Sequence, residues 1–278
     1  MLPSMSLFEI TIDFYRLFFA LGLITVPIFL FCMRKSFGFN RKQAAFYSIF
    51  TLAFGYLSAM ITAWLENSLL LWVSSGEYDH FEKLRNYGIP IFLPIFLLIY
   101  CFVFRDRFRK LSDYIAPCVY SVMTCVKIGC TFSGCCYGEP DPNGLWNDWL
   151  GYRTFPVQPY DALSSFVIVI ICLLLLRAFR GKREGLVYPI GGMLFALTKG
   201  YWENYRVHST IWEKNFLDTG WTFWQFWMLN LFIGCLLWLI AVLYFNKKEV
   251  PDCDGMEPTT LSRKLHGFLE KEKPDMKS

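Results

Sequence analysis

Lys127 stands inside Val126–Gly138, read VKIGCTFSGCCYG, which sets one ammonium group among three glycines and three thiols where an apolar run, Ser112–Ile128, ends. A lysine in lipid costs roughly 2.5–3.5 kcal/mol unless something offsets it, and glycines let a backbone or a ligand approach closely. A second charged group falls in another apolar run. Lys199, Glu203 and Arg206 are four and then three residues apart, so on a helix they share a face and meet in sequence. That stripe has two readings: an ion chain that satisfies itself and pins two helices, or a cationic pocket that holds the phosphate of a phospholipid head group by charge placed in advance.

The thiols Cys130, Cys135 and Cys136 also leave alternatives open. Adjacent cysteines do not make the CxxC knuckle of structural zinc, and no histidine lies close in sequence, so neither a metal nor a cofactor is expected. A disulfide or a reactive thiol in an oxidising compartment, with Cys135 and Cys136 in redox exchange, is one reading. Tight packing at a pocket mouth is the other. Cys32, Cys101, Cys118, Cys125, Cys172 and Cys235 lie inside apolar runs, where a free cysteine is a small buried apolar residue.

The elements that must position these groups are membrane helices. Of 278 residues, 55% are hydrophobic, 19% aromatic and only 18% charged, and several apolar runs approach the ~20 residues that cross a bilayer as a helix. The pattern predicts an all-α polytopic fold with about seven spans, near 12–33, 43–65, 88–104, 112–128, 160–177, 186–205 and 222–245. Arg34 and Lys35, then Arg105–Lys110, then Arg180–Arg183, then Lys247 and Lys248 follow the odd-numbered spans. By the positive-inside rule those loops are cytoplasmic, which sets the N-terminus outside and the C-terminus inside. The chain divides into a transmembrane domain, 1–248, and a polar cytoplasmic tail, 249–278, with one short helix around Leu261–Glu270. No removable signal peptide is read at the N-terminus, and no nucleic-acid signature is found.

In this orientation Lys127 and Lys199 both belong to the outer leaflet. Between spans four and five, FPVQPYD (Phe155–Asp161) must cover the Cys135–Cys136 turn and bring Gln158, Tyr160 and Asp161 near the pocket. Tyr15, at the outer end of the first span, reads as an interfacial anchor or as a pocket residue.

These stretches, in this order, resemble the prolipoprotein diacylglyceryl transferase family, bacterial enzymes that move diacylglycerol from phosphatidylglycerol to the lipobox cysteine of exported prolipoproteins. DYIAP (Asp113–Pro117) is similar to the start of the family's fourth helix. Val126–Gly138 falls on its signature, GRxGNFxNGExxG, PVQPYD on its PxQLYE, and KGYWENYR (Lys199–Arg206) on its RxxxExxR. Lys127 and Lys199 stand where the family has arginine, Cys130 where it has asparagine, and no histidine occurs within Gly88–Phe104, where the family carries one. The resemblance implies seven helices in the bacterial inner membrane, with phosphatidylglycerol and prolipoprotein signal peptides as partners in the bilayer. It makes Lys127, Lys199, Glu203 and Arg206 the catalytic set. Tyr15, Cys130, Gly134, Tyr137, Gly138, Gln158 and Tyr160 become substrate-binding residues. In the implied reaction a thiolate attacks the glyceryl carbon, and Lys127, Lys199 and Arg206, held by Glu203, stabilise the departing phosphate. A thiol of pKa about 8.5 needs a base or a strong cationic field to do this, and His80, the histidine nearest in sequence to Lys127, is the candidate base.

Overall fold

The computed structural model describes residues 4–7, 10–74, 86–179, 183–207, 216, 219–245 and 259–270. A short hairpin, β1 (Ser4–Leu7) with β2 (Ile10–Asp13), precedes α1 (Phe14–Phe37). Then come α2 (Arg41–Ser74), α3 (Ile89–Phe104) and α4 (Phe108–Ser133). A second hairpin, β3 (Pro140–Asn147) with β4 (Tyr152–Thr154), leads to α5 (Val157–Phe179), α6 (Val187–Trp202), α7 (Phe223–Phe245) and α8 (Thr260–Leu269). The protein is an all-α polytopic membrane protein. Among the described residues, six helices are long and apolar enough to cross a membrane by length and composition: α1 to α5 and α7. Helices are the required form here, because a backbone in lipid must satisfy its polar groups within the segment. The seventh expected span is α6, whose 16 residues rise only about 24 Å; a 3₁₀ turn, Glu203–Tyr205, carries it further.

Large apolar side chains lie exposed along these helices, among them Ile24 and Ile28 on α1, Leu98 and Ile99 on α3, Leu163 and Leu174 on α5, and Leu237 and Ile240 on α7. In lipid such a surface carries no penalty. α4 differs: 72% of its span is buried, against 17–44% for the others. The helix that carries Lys127 is therefore enclosed by protein.

The chain forms two compact units. One comprises Val26–Val119, Leu175–Pro189 and Trp238–Ser278. Within it Asp113 of α4 accepts the backbone N–H groups of Gly185 (2.6 Å), Val187 (2.9 Å) and Tyr188 (3.2 Å), capping the start of α6. Those donors have no partner inside their own helix. Tyr47 donates to Asp106 at 2.7 Å, within a cluster of Phe39, Tyr47, Tyr100 and Tyr114 rings. The expected tail helix is α8. Thr259 caps it by accepting from the Ser262 N–H, and Ser262 and His266 meet the Phe104 carbonyl that ends α3.

The other unit comprises Met1–Thr25, Tyr120–Leu174 and Ile190–Leu237. Here α1 meets α4 at Gly129, where a Cβ would sit 3.1 Å from Phe18 and 3.3 Å from the Tyr15 backbone. The sequence reading ended span four at Ile128, but α4 continues to Ser133. The Thr131 hydroxyl donates to the Lys127 carbonyl, so the polar residue stays within the helix. Gly134 then ends it at φ +74°, its N–H bonded to Cys130 O. Lys127 thus lies inside the helix, not at its end. The stretch after Cys136 contains the β3–β4 hairpin, bulged between Pro140 and Leu145.

Candidate active site

Three elements of this unit bring their charges to one place. Lys127 on α4 and Lys199 on α6 both bind Oδ2 of Asp161 on α5, at 3.0 Å and 2.7 Å. Lys199 also reaches Glu203 Oε2 at 3.4 Å, and Glu203 Oε1 takes Nη1 of Arg206 at 3.2 Å. The sequence runs Lys127, Asp161, Lys199, Glu203, Arg206. Asp161, Lys199 and Glu203 are buried, and the side chains of Lys127 and Arg206 keep 15% and 16% of their surface exposed. Access to this charge is therefore from the two ends of the chain.

Lys127, Lys199, Glu203 and Arg206 meet in one ion chain, though the last two are not on the expected helix. Glu203 sits in the 3₁₀ turn and Arg206 is extended (φ −90°, ψ 140°), so only Lys199 of this trio is on the α-helix proper. The ion pairs survive because a 3₁₀ turn also brings residues three apart together. Arg206 is fixed from outside its own element. It forms a β-bridge with Gly138, flanked by bonds from Glu139 N to Tyr205 O (2.9 Å) and from Val207 N to Tyr137 O (3.2 Å). Glycine is needed at 138, since a Cβ there would lie 2.5 Å from Phe155 O and 2.8 Å from Tyr205 O.

That bridge draws in the thiols. The sulfurs of Cys130, Cys135 and Cys136 all lie within 4.8 Å of one another, and all three are free. Arg206 Nη2 donates to Cys136 Sγ at 3.4 Å, joining the thiol cluster to the ion chain. Hydrogen bonds from the Cys130 and Cys135 thiols, with Arg206 and Lys127 close by, hold the Cys136 thiol well below its ordinary range despite burial.

The expected substrate-binding residues divide. Cys130 belongs to the thiol cluster, and Tyr137 and Gly138 form the strand-like segment against Arg206. Gly134 caps α4, and its carbonyl accepts from Asn147 Nδ2 at 3.1 Å. Gln158 is fully buried and donates to the Cys135 carbonyl at 2.7 Å, while its Oε1 has no hydrogen-bond partner among the described residues. Tyr160 turns away: its ring stacks on Trp202 at 5.0 Å, lies 5.6 Å from Phe155, and is 40% exposed. Tyr15 stacks on Phe19 beside Gly129. His80 lies outside the described residues.

Asp161 is the residue whose role the sequence reading missed. PVQPYD places it near the pocket, and a carboxylate one turn into a membrane helix is the signal that marks it. Chemically the site offers three cations against two carboxylates, a surplus that suits one phosphodiester. Both carboxylates are bonded to cations, so they position charge and are poorly placed to accept a proton.

The prolipoprotein diacylglyceryl transferase profile matches residues 4–245 of the chain. Among curated proteins, a phosphatidylglycerol–prolipoprotein diacylglyceryl transferase of Dehalococcoides mccartyi is 26% identical over 218 residues, covering 73% of this chain and 78% of the relative. One of the same name from Clostridium tetani is 25% identical over 208 residues, covering 69% and 80%.

Proposed function

This chain belongs to the prolipoprotein diacylglyceryl transferase family, and from that premise we propose that it transfers a diacylglyceryl group from phosphatidylglycerol to the lipobox cysteine of prolipoproteins. The observation that carries the reading is the buried run Lys127, Asp161, Lys199, Glu203, Arg206. Ionisable groups inside membrane segments are costly and mark functional sites. Here the carboxylates hold three cations where phosphate charge builds up as glycerol phosphate leaves, the preorganised arrangement that lowers such barriers most. Lysine at 127 and 199 supplies point charges, and Arg206 supplies the planar fork that engages two phosphate oxygens.

The setting we propose is the bacterial inner membrane, with the N-terminus outside and the C-terminus in the cytoplasm, so that the site opens to the outer leaflet where signal peptides emerge. A fluorescent protein fused after Ser278 then lights up in cells and alkaline phosphatase fused there stays inactive; the reverse pattern refutes the orientation.

The transfer itself is tested with purified protein, vesicles of labelled phosphatidylglycerol and a lipobox peptide. Label moves to the peptide and is lost when its cysteine is replaced by serine. If well-folded protein binds the vesicles and moves no label, it is a lipid-binding relative without the chemistry, a reading the self-matched ion pairs also fit.

A further inference from the structure

We propose that Cys130, Cys135 and Cys136 bind one zinc ion and leave its fourth position open for the sulfur of the acceptor cysteine. The first half stands on the thiol geometry alone, and the second rests on the transferase reading above.

Three sulfurs at the ordinary Zn–S distance of about 2.3 Å around one ion lie roughly 3.8–4.0 Å from each other. These three already fall within 4.8 Å, so small side-chain rotations close the site. Sequence spacing argued against a structural knuckle, where four ligands fill the shell. A catalytic zinc instead takes three protein ligands and keeps one position free. Thiolates select zinc or monovalent copper, and zinc is the one that prefers four ligands and has no redox chemistry.

The surroundings are built for such an ion. Cys136 has φ +55°, a left-handed conformation that few residues other than glycine adopt, and strain of this kind collects at functional sites. The turn is pinned by the Gly134 cap, by Ser133 Oγ donating to Cys135 Sγ at 3.1 Å, by Gln158 holding the Cys135 carbonyl, and by the Gly138–Arg206 bridge. Cations also border the cluster: Arg206, already paired with Glu203, donates to Cys136 Sγ, and Lys127, already paired with Asp161, acts electrostatically on Cys130 and Cys136. Hydrogen bonds to ligand sulfurs are the usual second layer of a metal site.

The site answers a need that the ion chain leaves open. The acceptor thiol must react as thiolate, and Asp161 and Glu203 are bonded to cations. A thiol that coordinates a metal is deprotonated outright, its proton passing to water. The sulfur's electron pair then forms the bond to the glyceryl carbon, the carbon–oxygen bond to phosphate breaks, and that pair leaves on the oxygen of glycerol phosphate. Arg206 touches both halves, with Cys136 on one side and Glu203 on the other.

The test uses full-length protein purified in detergent under reducing conditions without chelator. We expect about one zinc per chain, falling to roughly a tenth in Cys136→Ser and unchanged in Cys32→Ser, an exposed thiol outside the cluster. Should Cys136→Ser fail to fold, protection of the wild-type thiols from alkylation by zinc replaces it. In protein loaded with Co(II), the thiolate charge-transfer and tetrahedral d–d bands shift when a peptide with one cysteine is added and not with its serine analogue. Reduced protein without zinc, a disulfide within the cluster, or copper in place of zinc overturns the site; a cobalt spectrum unmoved by the cysteine peptide overturns the open position. Protein that holds zinc and shows the shift but transfers no label refutes the transferase reading and leaves the metal site standing. Full activity with no zinc does the opposite.

Discussion

Two aspartates lie at nearly the same depth, Asp161 at 2% exposure in one unit and Asp113 at 3% in the other, yet their partners differ in kind. Asp113 takes three backbone N–H groups at the start of α6. Those partners are fixed by the helix, so the carboxylate is a structural cap with nothing left to offer a ligand. Asp161 takes two ammonium groups on flexible stems from two other helices. Such partners carry charge that a bound phosphate can share. Burial alone does not identify a functional carboxylate; the chemistry and freedom of what it binds do.

Removing each carboxylate should separate the two roles. Asp161→Ala strands two ammonium groups, the buried one of Lys199 and the partly exposed one of Lys127, and we expect diacylglyceryl transfer to fall by about 10²–10³-fold, the scale for losing preorganised charge. Asp161→Asn should keep the fold, by thermal melting in detergent, and still lose transfer. Asp113→Ala should reverse the pattern. Orphaning the α6 donors costs about 3 kcal/mol, read as a lower melting temperature and yield, while transfer per folded molecule stays within about threefold. If Asp113→Ala kills transfer at full stability, or Asp161→Asn leaves transfer intact, the division fails.

Smaller changes sharpen the contrast inside the site. Arg206→Lys keeps the charge and removes the planar fork, so transfer should drop by about tenfold with little change in melting. Gln158→Ala removes the bond to the Cys135 carbonyl and should cost about 1 kcal/mol of stability, seen as a small melting shift with a modest rise in the lipid concentration needed for half-maximal rate.

What the residues themselves determined was much of what depends on neighbours along the chain. Long apolar runs dictate membrane helices because lipid cannot satisfy a backbone, and the four-then-three spacing of Lys199, Glu203 and Arg206 dictates their pairing even though the α-helix gives way to a 3₁₀ turn at Glu203. The tail helix was legible for the same local reason, read at Leu261–Glu270 and found at Thr260–Leu269. Tertiary structure decided what crosses between elements. Lys199 and Asp161 are 38 residues apart, and the axial rotation of α5 and α6 that makes them meet is set by packing, not by any spacing in either helix. The Gly134 turn gathers Cys130, Cys135 and Cys136, and Tyr160 of α5 turns onto Trp202 of α6, a contact between helices. Contacts within a helix follow from its fixed rise and turn, whereas contacts between helices follow from how whole surfaces fit, and only the folded chain holds that information.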